Sequence, residues 1–418
     1  MKPQGSAMSE TQTQAEVIVV GGGLVGASLA CLLGEAGVAV TVLDARPGPL
    51  DGEAVGRGQP AQRVSAVTPV SQRLLERLGV WPAMAARRVT PYTGMQVWDA
   101  EGSGEISFDA DQAGTDVLGH IVENDVMLAA LESRLAELPS VSQIFGARLN
   151  GLQTTAVGRR LILTDGRHFC APLVVAADGA RSQLRELAGI DVASHETGHA
   201  ALVTTVRTGR GHGGMARQVF LSGGPLAFLP LSVAGDDRYC SIVWSAPPAD
   251  AARLCALPRE ALGRELAAAF EQRLGTVEPI DDAVHIPLTQ RHAGHYVEPG
   301  LALVGDAAHS IHPLAGQGVN LGFMDAAVLA EELIEARRRG AELGDVRILS
   351  RYARRRRGDN AAMLALMDGF RLLFGARHPA LRLVRNVGLS GVDRLGPVKR
   401  LLMRQAIGER GRLPASCR

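Results

Sequence analysis

A chain of 418 residues is too long for one ordinary hydrophobic core and suits two domains, or one large domain with an insertion. With 46% hydrophobic and 21% charged residues it has the balance of a folded soluble protein, and a formal net charge of +1 gives no global attraction to nucleic acid or to an acidic partner. The five cysteines (Cys31, Cys170, Cys240, Cys255, Cys417) are scattered and form no CxxC, which argues against a disulfide framework or a zinc ribbon and for a reducing compartment.

The stretch up to Glu16 is polar and has no apolar core of a secretory signal, and no run of 18 uncharged apolar residues occurs. A cytoplasmic location is expected, with contact at the inner face of the membrane left open. Val17–Val20 is a short β-branched run of the kind a buried parallel strand needs; Leu24–Leu33 reads as a helix and Val38–Leu43 as a second strand, together a β-α-β unit. A Gly-rich loop covers Glu53 to Gln62, and the leucines at 74, 75 and 78 predict a helix over Ser71–Leu78. Alternation in Met95–Trp98 with glycines at 102 and 104 predicts a hairpin, and Asn124–Leu138 an amphipathic helix.

Leu161–Leu163, the turn Asp165-Gly166 and His168–Leu173 read as a second hairpin, leading into a buried strand at Leu173–Ala177. From about Gly198 to His285 the pattern becomes strand-like, at Val203–Val206, Gln218–Leu221, Leu226–Leu231 and Cys240–Trp244; only Arg259–Leu274 looks helical there. This predicts a sheet-rich domain inserted in the first. Leu301–Val304 returns to the buried-strand type, Gly318 to Arg338 reads as a helix, and Val346 to the end as helical and basic.

Gly21-x-Gly23-x-x-Gly26 lies between strand and helix. Gly21 permits the tight turn, Gly23 lets backbone approach a pyrophosphate, Gly26 lets the helix pack on the strand, and the helix N-terminus offers free N–H groups to phosphate. Asp44, 18 residues beyond Gly26, ends the second strand, where an acid can accept hydrogen bonds from a ribose. These features mark a dinucleotide site without separating FAD from NAD. Two further strands end in Asp178-Gly179, followed by Ala180 to Arg185, and in Gly305-Asp306. Asp178-Gly179 alone is a turn, and Asp306 alone an N-cap.

In this order the three motifs resemble the fingerprints of the class A FAD-dependent aromatic hydroxylases, the p-hydroxybenzoate hydroxylase type. His312-Pro313-Leu314-Ala315-Gly316-Gln317-Gly318-Val319-Asn320, running on to Asp325, is similar to the signature of the ubiquinone-biosynthesis hydroxylases within that group. The resemblance implies that Asp306 binds the ribityl chain of FAD, and that Pro313 and Ala315 to Gly318 face the flavin ring with Asn320 adding a contact. It also implies that Arg63 lies near the pyrophosphate and Asn124 near the ribityl-phosphate region. The bland readings of the last two are a solvated arginine and a helix cap.

Segments outside the cofactor motifs, among them Gly94–Asp99, Arg217–Phe220, Ala227–Leu231 and Cys240–Ser245, lean toward the members acting at ring C5 of a polyprenylphenol; sisters act at C1 and C6. The expected fold is α/β: a Rossmann-like FAD-binding domain (16–80, 115–189, 286–345), a β-sheet substrate domain (81–114, 190–285) and a helical C-terminal region (346–418). The implied activity is ring hydroxylation with O2 through a flavin C4a-hydroperoxide, with NAD(P)H or an external carrier as donor.

No catalytic base is legible; His312 and Gln317 are weak candidates. Phe220, Phe228 and Trp244 are either walls of the substrate pocket or sheet core. His292-x-x-His295 and His309-x-x-His312 have neither an HExxH frame nor nearby cysteines, so no metal is expected. Cys31 reads as packing. A polyprenyl substrate resides in the bilayer, and Arg351 with Arg354 to Arg357, beside the apolar run Met363 to Phe374, could meet anionic lipid or pack on the first domain. A partner assembly for quinone synthesis, a soluble aromatic substrate, a flavin reductase and a non-catalytic subunit stay open.

Overall fold

The computed structural model describes residues 15–102, 104–310, 318–375, 407–409 and 411–418. A six-stranded sheet runs in the order Val297–Glu298, Leu301–Leu303, Leu173–Ala176, Val17–Val20, Val40–Leu43, Val141–Ile144. All its pairings are parallel except that of the edge strand Val297–Glu298. Val17–Val20 and Leu173–Ala176 are buried at every position, because helices and a small three-stranded sheet (Leu149–Thr155, Gly158–Leu163, His168–Ala171) both pack on the parallel sheet. The first helix, Leu24–Glu35, packs between helix Asn124–Glu137 and helix Gly318–Arg338. Three strands distant in sequence thus lie side by side, with their C-terminal ends on one edge. That edge is where an open α/β sheet takes its ligand.

The second large sheet has nine strands. Eight run in the order His309–Ser310, Val284–Ala293, Val192–Thr208, Asp236–Ala246, Gly224–Val233, Met215–Leu221, Gly94–Asp99, Glu105–Asp109, and Val277–Pro279 pairs beside Val192–Thr208. The expected hairpin forms at Gly94–Asp99 and Glu105–Asp109 and joins the sheet through a parallel pairing with Met215–Leu221. Side chains alternate between two faces. Leu202, Leu226, Phe228 and Ile242 pack against Leu262, Leu266 and Phe270 of the helical segment on the far face. Ala216, Ala227, Leu229 and Leu231 pack on the near face against Ala66, Tyr92 and Ile121. The last three come from a small sheet, Val64–Val67, Gly119–Glu123 and Val89–Tyr92, which bridges the two large ones.

Two expectations of the insertion change. A helix over Pro248–Cys255 precedes Arg259–Ala269; its Pro-Pro start, which reads as a loop, supplies a proline at the first helical position, where no N–H is needed. Strand Val284–Ala293 runs through the expected boundary at 285/286, and His309–Ser310 pairs with it, so part of 286–345 completes the nine-stranded sheet. Helix Gly318–Arg338 has the bounds read from sequence, and a helix covers Val346–Gly375. Among the described residues no helix is long and apolar enough to cross a membrane.

Candidate nucleotide site and substrate face

The glycines of the first motif are fixed by what surrounds them. Gly21 has φ +100°, and a Cβ there would run into the Ala177 carbonyl and come within 2.8 Å of Asp178 Cα. A Cβ on Gly26 would collide with the Gly21 carbonyl oxygen and lie 3.1 Å from Ala177 Cβ. The Gly22 N–H donates to Asp44 Oδ2 at 2.9 Å, whereas a Cβ on Gly23 would meet nothing within 4 Å. Gly23 caps the first helix with no side chain, so no side-chain oxygen takes its first-turn N–H groups, which carry roughly half a positive charge. The Asp44 carboxylate is held in turn by the Arg46 N–H at 2.7 Å and its guanidinium at 3.0 Å, and Arg46 also pairs with Glu132 at 2.6 Å.

The other two motifs meet the first. Gly305 has φ +58° and stands over Val25, whose Cγ2 would be 3.1 Å from a Cβ there; a Cβ on Gly322 would be 2.5 Å from the same methyl. Gly179 also has positive φ, at +83°. Asp178 Oδ2 accepts the Leu184 N–H at 3.1 Å, and its buried Oδ1 has no partner among the described residues. Arg185, to which sequence reasoning gave no role, ties the two later motifs: its guanidinium donates to Ala307 O at 2.8 Å and Ala180 O at 3.1 Å. Only its place in the second fingerprint could have flagged it.

Asp306 is open to solvent yet crowded by protein. That crowding raises its carboxyl pKa, while His309 and Arg63 pull it down. Arg63 is exposed, and its charge acts on Asp306, so the two are brought together. The Arg63 carbonyl accepts the Asn124 N–H at 2.9 Å, and Asn124 Oδ1 accepts from Ser65 Oγ at 2.7 Å, which places the amide beside the same strand. Asn124 is the first helical residue rather than the cap, which is Glu123. The Asn320 amide is engaged with backbone, donating to Ala66 O at 2.8 Å and accepting from Thr68 N at 3.0 Å. His312, Pro313, Ala315, Gly316 and Gln317 lie outside the described residues, and Gly318 opens the following helix.

On the substrate sheet, two of the three expected aromatic walls face away from the nucleotide domain. Phe228 stacks on Phe270 with centroids 3.8 Å apart, and Trp244 packs in the same far-face cluster. Their side of the strand is fixed by alternation, and it is the side covered by helix Arg259–Ala269. Phe220 is on the near side but packs at the sheet edge with Val97 and Ile106. A small cavity does lie between the near face and the bridging sheet, lined by Tyr92, Met95, Ile121, Gln218, Ala227 and Leu229 among others.

Of the expected basic cluster, only Arg351, Arg354 and Arg357 are exposed. Arg355 binds Glu331 at 2.6 Å and Glu332 at 2.8 Å, and buried Arg356 binds Asp325 at 2.7 Å. His292 meets the Tyr296 hydroxyl at 2.9 Å and His309 meets Asp325 at 2.6 Å, each through Nε2. Burial pushes the Cys31 thiol up to about 12, the state of a packing group rather than a nucleophile.

Residues 14–366 match the family described as "FAD binding domain". The 3-demethoxyubiquinol 3-hydroxylase of Escherichia coli (strain K12) is 41% identical over 399 residues, covering 95% of this chain and 100% of that protein. This chain belongs to the family of FAD-dependent ubiquinone-biosynthesis hydroxylases. Ubiquinone hydroxylase UbiL of Rhodospirillum rubrum is 39% identical to this chain, over 97% of it and 92% of that protein. Human mitochondrial ubiquinone biosynthesis monooxygenase COQ6 is 33% identical over 94% and 93%. Among solved structures, p-nitrophenol 4-monooxygenase PnpA from Pseudomonas putida DLL-E4 superposes with a TM-score of 0.76 at 22% identity, over 96% of this chain and all of that one. PqsL of Pseudomonas aeruginosa superposes at 0.74, with 24% identity over 91% of this chain and 100% of that one. The fold is that of the FAD-dependent aromatic hydroxylases.

The residues of the hydroxylase fit FAD. Gly23 leaves room for a pyrophosphate, Asp44 stands at the strand end tied to Gly22 and Arg46, and Asp178 and Asp306 are acceptor-only carboxylates suited to hydroxyls.

Proposed function

We propose that the enzyme hydroxylates the benzenoid ring of a polyprenylated ubiquinone precursor, taking one oxygen atom from O2. The single observation that carries this reading is the match to the E. coli protein over the whole of that protein's length, substrate sheet included. The near face of the sheet supports it: its side chains around the small cavity are mostly apolar, with Tyr92, Arg217 and Gln218 the polar groups among them.

Bound FAD supplies the activated oxygen and accepts the reducing equivalents. Gly21 to Gly26 would hold the pyrophosphate, Asp44 the ribose and Asp306 the ribityl hydroxyls, with Arg63 balancing charge beside Asp306. The near face of the sheet orients the ring and keeps water away from it.

Two ring positions have support. The segments of the substrate sheet favour C5, whereas the name of the E. coli relative favours position 3 of a demethoxyubiquinol. The donor is NAD(P)H or an external electron carrier. Exposed Arg351, Arg354 and Arg357 are proposed to meet anionic lipid at the inner face of the membrane, where such a substrate dwells. Expression in strains lacking each ring hydroxylase in turn, with the accumulated quinone intermediates identified, tests the reading. Restored ubiquinone in one strain assigns the position, and restoration in none overturns it.

A further inference from the structure

We infer that Asp325 and Arg356 are positioning residues for the Gly305–Asp306 turn, so that the C-terminal helix Val346–Gly375 is part of the cofactor site. Asp325 sits on helix Gly318–Arg338 and is fully buried. Its Oδ2 accepts the Gly305 N–H at 3.0 Å and His309 Nε2 at 2.6 Å, so one carboxylate oxygen clamps both ends of the turn that carries Asp306. Its Oδ1 accepts Arg356 Nε at 2.7 Å and Asn360 Nδ2 at 3.2 Å, both from the C-terminal helix.

Arg356 is buried too, and its remaining donors go to Leu321 O at 3.3 Å, Asn360 Oδ1 at 2.8 Å and Asp359 Oδ2 at 3.3 Å. The same helix is anchored one turn earlier by Tyr352, whose hydroxyl donates to Leu303 O at 2.7 Å on the strand leading into the turn. A buried carboxylate with four donors has one stable orientation, because losing any of them leaves a polar group unpaired away from water. The orientation of Gly305, and with it the reach of Asp306 toward a polyol, therefore depends on a guanidinium 31 residues beyond Asp325.

Titration of apoprotein with FAD, followed by quenching of flavin fluorescence, reads this directly. Arg356→Lys keeps the charge but not the fork, and is expected to weaken FAD binding about 3-fold; Asp325→Asn is expected to weaken it 10-fold or more and to shift the bound flavin spectrum. Removing one partner of a buried pair threatens folding, so Asp325→Asn/Arg356→Met, which removes both charges, is the companion variant. It is expected to recover a soluble fold and still bind FAD 10-fold more weakly. Arg355→Ala, which removes the same helix's ion pairs to Glu331 and Glu332 without touching Asp325 or the turn, is expected to lower the melting temperature and leave FAD affinity unchanged. FAD affinity and flavin spectrum unchanged in both Arg356→Lys and the double variant would overturn the inference, as would an equal loss of affinity in Arg355→Ala. If neither Asp325 variant folds, Arg356→Lys alone decides.

Discussion

Gly21 and Asp178 are in backbone contact: a Cβ on Gly21 would lie 2.8 Å from Asp178 Cα, and closer still to the Ala177 carbonyl. The first and second cofactor motifs are thus two sides of one joint between adjacent strands. Gly21→Ala adds a methyl where backbone stands, at a φ of +100° that L side chains rarely adopt. The expected product is folded protein with little bound flavin, or insoluble chain. The ratio of flavin to protein absorbance checks it, and a full complement of FAD would refute the joint.

Asp306 carries a cost to the apoprotein. Crowding raises its carboxyl pKa, so the folded state holds its proton more tightly than the unfolded chain. Stability then falls as pH rises from the ordinary carboxylate range through the raised value, and stays lowered at pH 7. Asp306→Asn is expected to raise the apoprotein melting temperature at pH 7, with the gain vanishing at acid pH. It is expected to weaken FAD binding about 10-fold. Calorimetry of apoprotein at two pH values, beside FAD titration, separates the two effects.

Asp325 has the opposite sign. Burial would raise its pKa, but His309 and Arg356 hold it down to about 2, from an ordinary 3.8. Its contribution is present above the unfolded value and lost as pH falls from about 4 toward 2. Acid unfolding followed by circular dichroism is expected to show a component in that window, absent from Asp325→Asn/Arg356→Met.

The far-face aromatics should matter to stability alone. Phe228→Ala opens a cavity beside Phe270 and is expected to cost about 3–5 kcal/mol, leaving KM of the folded fraction unaltered. Ala227→Leu, one residue away on the near face, fills the cavity and is expected to raise KM several-fold. Equal effects on KM would show that both faces reach the substrate.

Arg351→Ala/Arg354→Ala/Arg357→Ala removes three exposed charges without touching the buried pairs of Arg355 and Arg356. Binding to vesicles containing anionic lipid is expected to drop by roughly 100-fold, three residues at about 1 kcal/mol each. Flotation assays measure it; unchanged binding would end the membrane reading.

The nucleotide half was legible because its constraints fall on glycines and acids in short motifs at strand ends. Gly21, Gly26 and Gly305 are each required by an atom a short distance away, and the strands before them are apolar throughout. The substrate face was less so. Period-two alternation separates Phe228 from Ala227 but does not say which side meets the nucleotide domain; the helix Arg259–Ala269 decides that, and only the fold places it. Arg356 read as one of a run of surface arginines, since nothing in the run distinguishes the member whose partner, Asp325, lies on another helix.

The side-by-side placement of Val17–Val20, Leu173–Ala176 and Leu301–Leu303 has a consequence for biosynthesis. The chain emerges in the order of translation, and the third motif appears only after the entire substrate sheet except its last short strand. Closing such distant pairings is slow, and the half-built sheet exposes an apolar edge meanwhile. A flavin that needs all three motifs must therefore wait for residue 306, and a chain cut short before Gly305 would lack the third of them.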